Sequence, residues 1–181
     1  VSNGYQPVSV VLSSREIIDL IGPGEHGSTY SGNPLGMTIL KACLTEITKD
    51  NHALVHNSAK MGGRLAYLIS KIKSPLIKEI RGRGLFIGIE FHPEIPIEVS
   101  DIALHLMERG MLTRQTHKYC LRLTPAINIT FKEVEAIYHI LKFVLTSIEK
   151  QIVVPNLPST KYNIRCTNKD AEEMDNYINS N

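Results

Sequence analysis

Pro23-Gly24-Glu25-His26-Gly27-Ser28-Thr29-Tyr30-Ser31-Gly32-Asn33-Pro34-Leu35 is the most informative stretch of the chain. Gly24, Gly27 and Gly32 punctuate it, Ser28, Thr29 and Ser31 supply hydroxyls, and Asn33-Pro34 opens a helix. Glycines let the backbone approach a ligand closely, and amides and hydroxyls ahead of a helix can cradle a phosphate. From the residues alone two readings stand. One is a phosphate site built on Ser28 and Thr29. The other is a structural turn whose Asn33 caps the helix while Pro34 takes its first position.

On the N-terminal side of this loop, Pro7-Val8-Ser9-Val10-Val11-Leu12 is β-branched and apolar and reads as a buried strand. Ser13 or Ser14 then caps a short helix with Ile17, Ile18 and Leu20. On the other side, the pattern from Pro34 to Lys49 is apolar on most sides, which predicts a helix buried between layers. A second helix is expected from Ala53 to Ile72, weakened at Gly62-Gly63, where a close contact fits, and ended by Ser74-Pro75. Leu76–Arg81 and Leu85–Phe91 read as strands joined at Gly82-Arg83-Gly84. Ser100 is expected to cap a helix with Ile102, Ala103, Leu106 and Met107 inward and Gly110 at its end. Cys120–Thr124 alternates, with Leu121 and Leu123 on one side and Arg122 on the other. Thr130 and Glu133 form a capping box for a helix whose inward face is Val134, Ile137, Tyr138, Leu141, Val144, Leu145 and Ile148. Helix and strand thus intermix, an α/β to α+β pattern. Three regions are expected: 1–52, the end of one layer; 53–150, a compact α+β unit; and 151–181, a Pro- and Asn-rich tail whose composition favours disorder.

Composition narrows the class. With 181 residues, 43% hydrophobic and 21% charged, the chain can bury a core. A formal charge of +2 argues against nucleic acid. The densest basic group, Lys71, Lys73, Lys78, Arg81 and Arg83, reads as solvated surface because aromatic partners are sparse around it. No apolar run approaches the roughly 20 residues a bilayer span needs. Cys43, Cys120 and Cys166 show neither paired nor metal-ligand spacing, which suits a reducing compartment. His26 and His117 have no second ligand at metal spacing, so no metal site is expected. His26 reads as ordering the loop and His117 as packing near Arg122. Asn128-Ile129-Thr130 matches a glycosylation sequon, set aside because nothing suggests secretion. Val1-Ser2-Asn3-Gly4 is neither an initiator methionine nor a signal or transit peptide, and the expectation is a C-terminal piece of a longer chain.

The glycine-rich loop closely resembles that of the class III pyridoxal-phosphate aminotransferases, in the form Ser28-Thr29-Tyr30 found in their ornithine aminotransferase branch. Three further segments are collinear with that family. Gly4-Tyr5-Gln6-Pro7-Val8-Ser9 resembles the strand after the Schiff-base lysine. Arg81-Gly82-Arg83-Gly84-Leu85 resembles the small domain's Arg-Gly-x-Gly-Leu bend. Thr113-Arg114-Gln115-Thr116-His117 with Leu121-Arg122-Leu123-Thr124-Pro125 resembles its Thr-His and Arg-Leu-x-Pro segment. The resemblance covers about residues 1–148. Asn3, Lys118 and Ala126 depart from the usual Gly, Gly and Pro, which bears on substrate choice more than on fold.

The resemblance implies the C-terminal part of a fold-type I transferase: the end of the large domain plus the small domain. It implies a homodimer with pyridoxal 5'-phosphate, in which Thr29, with Ser28, holds the phosphate of the partner subunit's cofactor. Arg122 would handle a carboxylate in the pocket, since a guanidinium can bind one with two parallel hydrogen bonds. The implied reaction moves the δ-amino group of ornithine to 2-oxoglutarate, in the mitochondrial matrix or the cytoplasm. The Schiff-base lysine is placed about two residues upstream of Val1, so no catalytic residue is assigned within the chain. The alternatives are acetylornithine or 4-aminobutyrate specificity, or an inactive small-domain or dimerisation protein.

Overall fold

The computed structural model describes residues 6–165. Gly4 and Tyr5 of the first resemblance segment, Cys166 and the rest of the tail lie outside them. The chain divides into two compact units, Val1–Ala53 and Leu54–Asn181.

The first unit begins with a departure from expectation. Residues 7–12 form no strand, and Val10, Val11 and Leu12 are 46%, 80% and 91% exposed. A strand exists through its ladder partners, and β-branched composition by itself supplies none. Helix α1 (Arg15–Ile18) follows Ser14, which takes the extended N-cap conformation without a side-chain cap bond. Helix α2 (Pro34–Ser70) begins where Asn33-Pro34 predicts, and Asn33 Oδ1 accepts from Gly36 N at 2.7 Å. Leu35, Met37 and Leu44 on its first arm are exposed, as is Lys41, so the expected burial between layers is not found among the described residues.

Helical geometry breaks at Lys49–His52, where Asp50, Asn51 and His52 adopt φ of 48°, 53° and 63°. Asp, Asn and His are the non-glycine residues that best tolerate that left-handed region. The two expected helices are therefore two arms of α2.

The second unit holds an antiparallel hairpin, β1 (Ile77–Arg83) and β2 (Phe86–Phe91), then α3 (Val99–Glu108), β3 (Arg114–Thr116), β4 (Cys120–Leu123), α4 (Phe131–Glu149) and β5 (Lys161–Arg165). The sheet order among the described residues is β3-β4-β2-β1-β5. Gly82 and Arg83 belong to β1, and the hairpin turns on Gly84, at φ 54°, and Leu85. Helix α3 is capped at Glu98, not Ser100, and Met107 is 49% exposed, while Val99, Ile102 and Leu106 are buried. The Thr130–Glu133 capping box is complete.

One sheet face is apolar. Ile80, Ile87, Ile89, Leu121 and Leu123 pack with Met61, Leu65 and Ile69 of α2, Ile102 and Leu106 of α3, and Val134, Leu141 and Leu145 of α4. Asn57 ties α2 to the entry of α4 by donating to the carbonyls of Ile127 and Ile129, at 2.8 and 3.1 Å. The opposite face is polar.

The strand β5 is the largest surprise. It pairs in parallel with β1, and Ile152, Val154, Leu157 and Ile164 pack against the core. Four apolar residues scattered among prolines and polar side chains carry no periodic signal, so the segment reads as a tail until the open edge of β1 gives it a ladder to join.

Candidate functional site

In the first unit, Ser28 and Thr29 stand on an exposed loop. Gly24 and Gly32 take φ of +84° and +67°, a conformation that side chains rarely adopt. The Glu25 carboxylate accepts from Gly22 N at 2.6 Å, and Asn33 Nδ2 donates to the Tyr30 carbonyl at 3.0 Å, so both shoulders of the loop are tied. The hydroxyls of Ser28 and Thr29 have no hydrogen-bond partner among the described residues. Two free hydroxyls on a tied loop ahead of a helix N-terminus fit the oxygens of a phosphate. His26 is exposed on the same loop.

In the second unit, Arg122 lies on the polar sheet face, half-buried, between buried Leu121 and Leu123. Its carbonyl accepts from Thr113 Oγ1 at 2.8 Å, which fixes the strand beneath it. Its Nε is buried without a hydrogen-bond partner. Arg122 lines a groove of about 530 Å³ together with Arg81, Arg83, Gly88, His117 and Asn163. His117, at φ 58°, and Arg122 are therefore brought together as the sequence suggested.

Arg81 and Arg83, read from sequence as plain surface, are walls of this groove. Arg81 Nη1 donates to carboxylate oxygens of Glu79, at 3.4 Å, and of Glu90, while Lys78 Nζ donates to Glu90 at 2.8 Å. The hydrogen bonds from Lys78 and then Arg81 hold the Glu90 carboxyl below the usual carboxylate range, and those to Glu90 raise Lys78 and Arg81. Glu90 of β2 thus ties Lys78 and Arg81 of β1 across the strand pair, and none of the groove's lining residues is Asp or Glu. The signal that could have found Arg81 was its place two residues from Glu79 on one strand and opposite Gly88 on the next, which needs the register.

No cluster of three or more His, Cys, Asp or Glu that could hold a metal occurs among the described residues. No helix there is long and apolar enough to cross a membrane.

The model of the family "Aminotransferase class-III" matches residues 1–145. The chain belongs to the class III aminotransferases. Among curated members of that family, the mitochondrial ornithine aminotransferase of Arabidopsis thaliana is 40% identical over 156 residues, 81% of this chain and 32% of the relative. The ornithine aminotransferase of Plasmodium yoelii yoelii is 41% identical over 136 residues, again 32% of the relative. The chain therefore spans about a third of the length of the curated relatives it matches. Among solved class III structures, the ornithine δ-aminotransferase of Plasmodium falciparum superposes with a TM-score of 0.76 at 32% identity, over 83% of this chain and 39% of that one. The acetylornithine aminotransferase of Elizabethkingia anophelis gives 0.69 at 33% identity, over 81% and 38%. The mixed sheet with helices is that part of the family's fold, and the chain is most similar to ornithine aminotransferases.

Proposed function

We propose that this chain serves a pyridoxal-phosphate-dependent aminotransferase that moves the δ-amino group of ornithine to 2-oxoglutarate, giving glutamate 5-semialdehyde and glutamate. The observation that carries this reading is Arg122, a half-buried guanidinium with an unpartnered Nε in a groove lined by arginines and no acid. Such a group binds and orients a carboxylate, common to both substrates, with a geometry lysine cannot copy. The free hydroxyls of Ser28 and Thr29 would hold the cofactor's phosphate, across a homodimer interface. Pyridoxal phosphate, when bound, supplies the electron sink for exchange of the amino group. No lysine of the chain is assigned to bind it covalently. Residues 1–52 are read as the end of the large domain and 53–150 as the small domain. The compartment is read as the mitochondrial matrix or the cytoplasm, and the name of the Arabidopsis relative, a mitochondrial enzyme, supports the first.

The test is a chimera in which residues 1–145 replace the matching segment of the Arabidopsis relative. Turnover of ornithine with 2-oxoglutarate is expected to persist. Preferential turnover of acetylornithine would assign the chain to the other branch, and loss of all turnover in a folded, cofactor-loaded chimera would point to a non-catalytic protein.

A further inference from the structure

Three guanidiniums on the polar face of the sheet stand without a counter-charge. The side chains of Arg83 of β1, Arg114 of β3 and Arg122 of β4 make no hydrogen bond or ion pair among the described residues. Arg114 and Arg122 are direct cross-strand partners, and like charges set opposite each other destabilise a strand pair. Arg83 shares their face, because Arg81, two residues before it, pairs with Gly88 and Gly88 with Arg122. Arg81 itself is occupied by Glu79, Glu90 and Cys120. Arg83 and Arg122 line the groove of about 530 Å³, and Arg114 lines a second hollow that also borders Arg122.

The fold delivers a segment of the opposite charge to this place. Strand β5 runs parallel to β1 and brings Arg165 into register with Arg83, on the wall of the groove. Its position is fixed by the chain itself: Thr160 Oγ1 donates to the Ile77 carbonyl at 2.8 Å, Tyr162 Oη donates to the Ser70 carbonyl at 3.3 Å, and Ile164 packs on the core. The sequence then continues Cys166-Thr167-Asn168-Lys169-Asp170-Ala171-Glu172-Glu173-Met174-Asp175, with four carboxylates against one lysine.

The reach is sufficient. From β5 to β4 is three strand spacings, and Arg122 lies two residues back from the level of Arg83, so the backbones of Arg165 and Arg122 are about 16 Å apart. An extended chain covers about 3.4 Å per residue. Asp170, five residues beyond Arg165, can just span that distance, and Glu172 and Glu173 span it with slack.

We propose that the acidic segment Asp170–Asp175 docks in the arginine-lined groove of its own chain, with Glu172 and Glu173 against Arg122. The segment is then an internal occupant that a ligand carboxylate has to displace. It lies outside the family-matched residues 1–145, so this competition belongs to the tail of this chain. The docking rests on the uncompensated arginines, and its effect on ligand binding rests on the reading of Arg122 given above.

The experiment compares the full 181-residue chain with a variant carrying Asp170→Asn, Glu172→Gln, Glu173→Gln and Asp175→Asn, which keeps the length and removes the charge. Both are labelled with ¹⁵N. Amide dispersion reports folding, and the arginine Nε–H resonances of Arg83, Arg114 and Arg122 report the groove. These resonances are expected to differ between the two chains at low salt, to converge as salt rises, and to be independent of protein concentration. Titration with 2-oxoglutarate is expected to show binding about threefold tighter in the variant, since an occupant that fills a site about two-thirds of the time weakens a competitor about threefold. Identical arginine resonances in the two chains overturn the proposal. So does a difference that vanishes on dilution, which would put the tail of a second copy in the groove, and so does equal affinity in two chains that both bind 2-oxoglutarate. If the resonances differ and neither chain binds 2-oxoglutarate, the docking stands and the reading of Arg122 as a substrate ligand fails. If they do not differ while Arg122→Ala abolishes 2-oxoglutarate binding, the docking fails and that reading stands.

Discussion

Gly62 of α2 lies against Gly84 of the β1–β2 turn so closely that a Cβ built on Gly62 would sit 2.1 Å from the Gly84 carbonyl carbon and oxygen. The obstruction is backbone, which cannot swing aside, and Gly84 is itself held at φ +54° with its own Cβ position 3.0 Å from Ser58 Oγ. The hairpin that carries Arg81 and Arg83 is therefore seated on the helix through two glycines. Gly62→Ala should cost about 3 kcal/mol or more of stability, at or beyond the upper end of overpacking penalties. Urea denaturation of the chain measures it, and a loss below about 1 kcal/mol would mean the helix and turn separate easily.

The N-terminus of α4 depends on a reciprocal pair. Thr130 N and Oγ1 donate to Glu133 Oε2 at 2.8 and 2.7 Å, and Glu133 N donates back to Thr130 Oγ1. Thr130→Ala should lower stability by about 1 kcal/mol, while Thr130→Ser should be nearly silent. Thermal unfolding of the two variants side by side separates the hydroxyl from the methyl.

The Glu90 cluster predicts a pH dependence with a definite sign. Its carboxyl is depressed in the folded chain, first by Lys78 and then by Arg81. A depressed carboxyl contributes fully above its unfolded-state value, and the contribution is lost as pH falls through the lower folded value. The stability of the parent chain should therefore fall with acid, across and below the usual carboxylate range, more steeply than that of Glu90→Gln. Near neutrality the variant should be only slightly less stable, because Arg81 and Lys78 are partly exposed, and salt should narrow the gap.

In the chimeric enzyme, Thr29→Ala should raise the Kd for pyridoxal phosphate by about tenfold, the loss of one hydrogen bond to a charged group. Ser28→Ala should act in the same direction. Arg122→Lys keeps the charge and loses the fork, so kcat/KM should fall by about tenfold or more while cofactor affinity holds. A cofactor titration by absorbance and steady-state kinetics check the two arms independently.

Truncation after Gln151 removes β5 and the packing of Ile152, Val154, Leu157 and Ile164. It also bares the edge of β1, a template for pairing with another chain. The shortened chain should be less stable and should self-associate in size-exclusion chromatography, whereas the 181-residue chain should not do so through this edge.

Local chemistry was legible from the residues. The Asn33-Pro34 helix start, the Thr130–Glu133 box, the Leu121–Arg122–Leu123 alternation, the break between two helices near residue 50 and the close contact at Gly62 each depend on residues near one another in sequence or on a glycine with one evident use. The 7–12 segment was misread because its apolar, β-branched run carries the composition of a strand, while a strand also needs a neighbour. The first arm of α2 was misread for a related reason: apolar breadth shows what a helix can bury, not what is there to cover it.

By itself, the sequence determined the family and the order of helices and strands from Pro34 to Glu149 except the short strand β3, and it singled out the Ser28–Thr29 loop and Arg122 as candidates for ligand chemistry. Tertiary structure alone decided which side chains meet. Arg81 and Arg122 are 41 residues apart and Asn163 lies 41 beyond Arg122, and they share one groove because sheet register places them on one row over Gly88. Register is a property of strand pairs, set by the shared apolar face and the turn at Gly84, so no single segment encodes it.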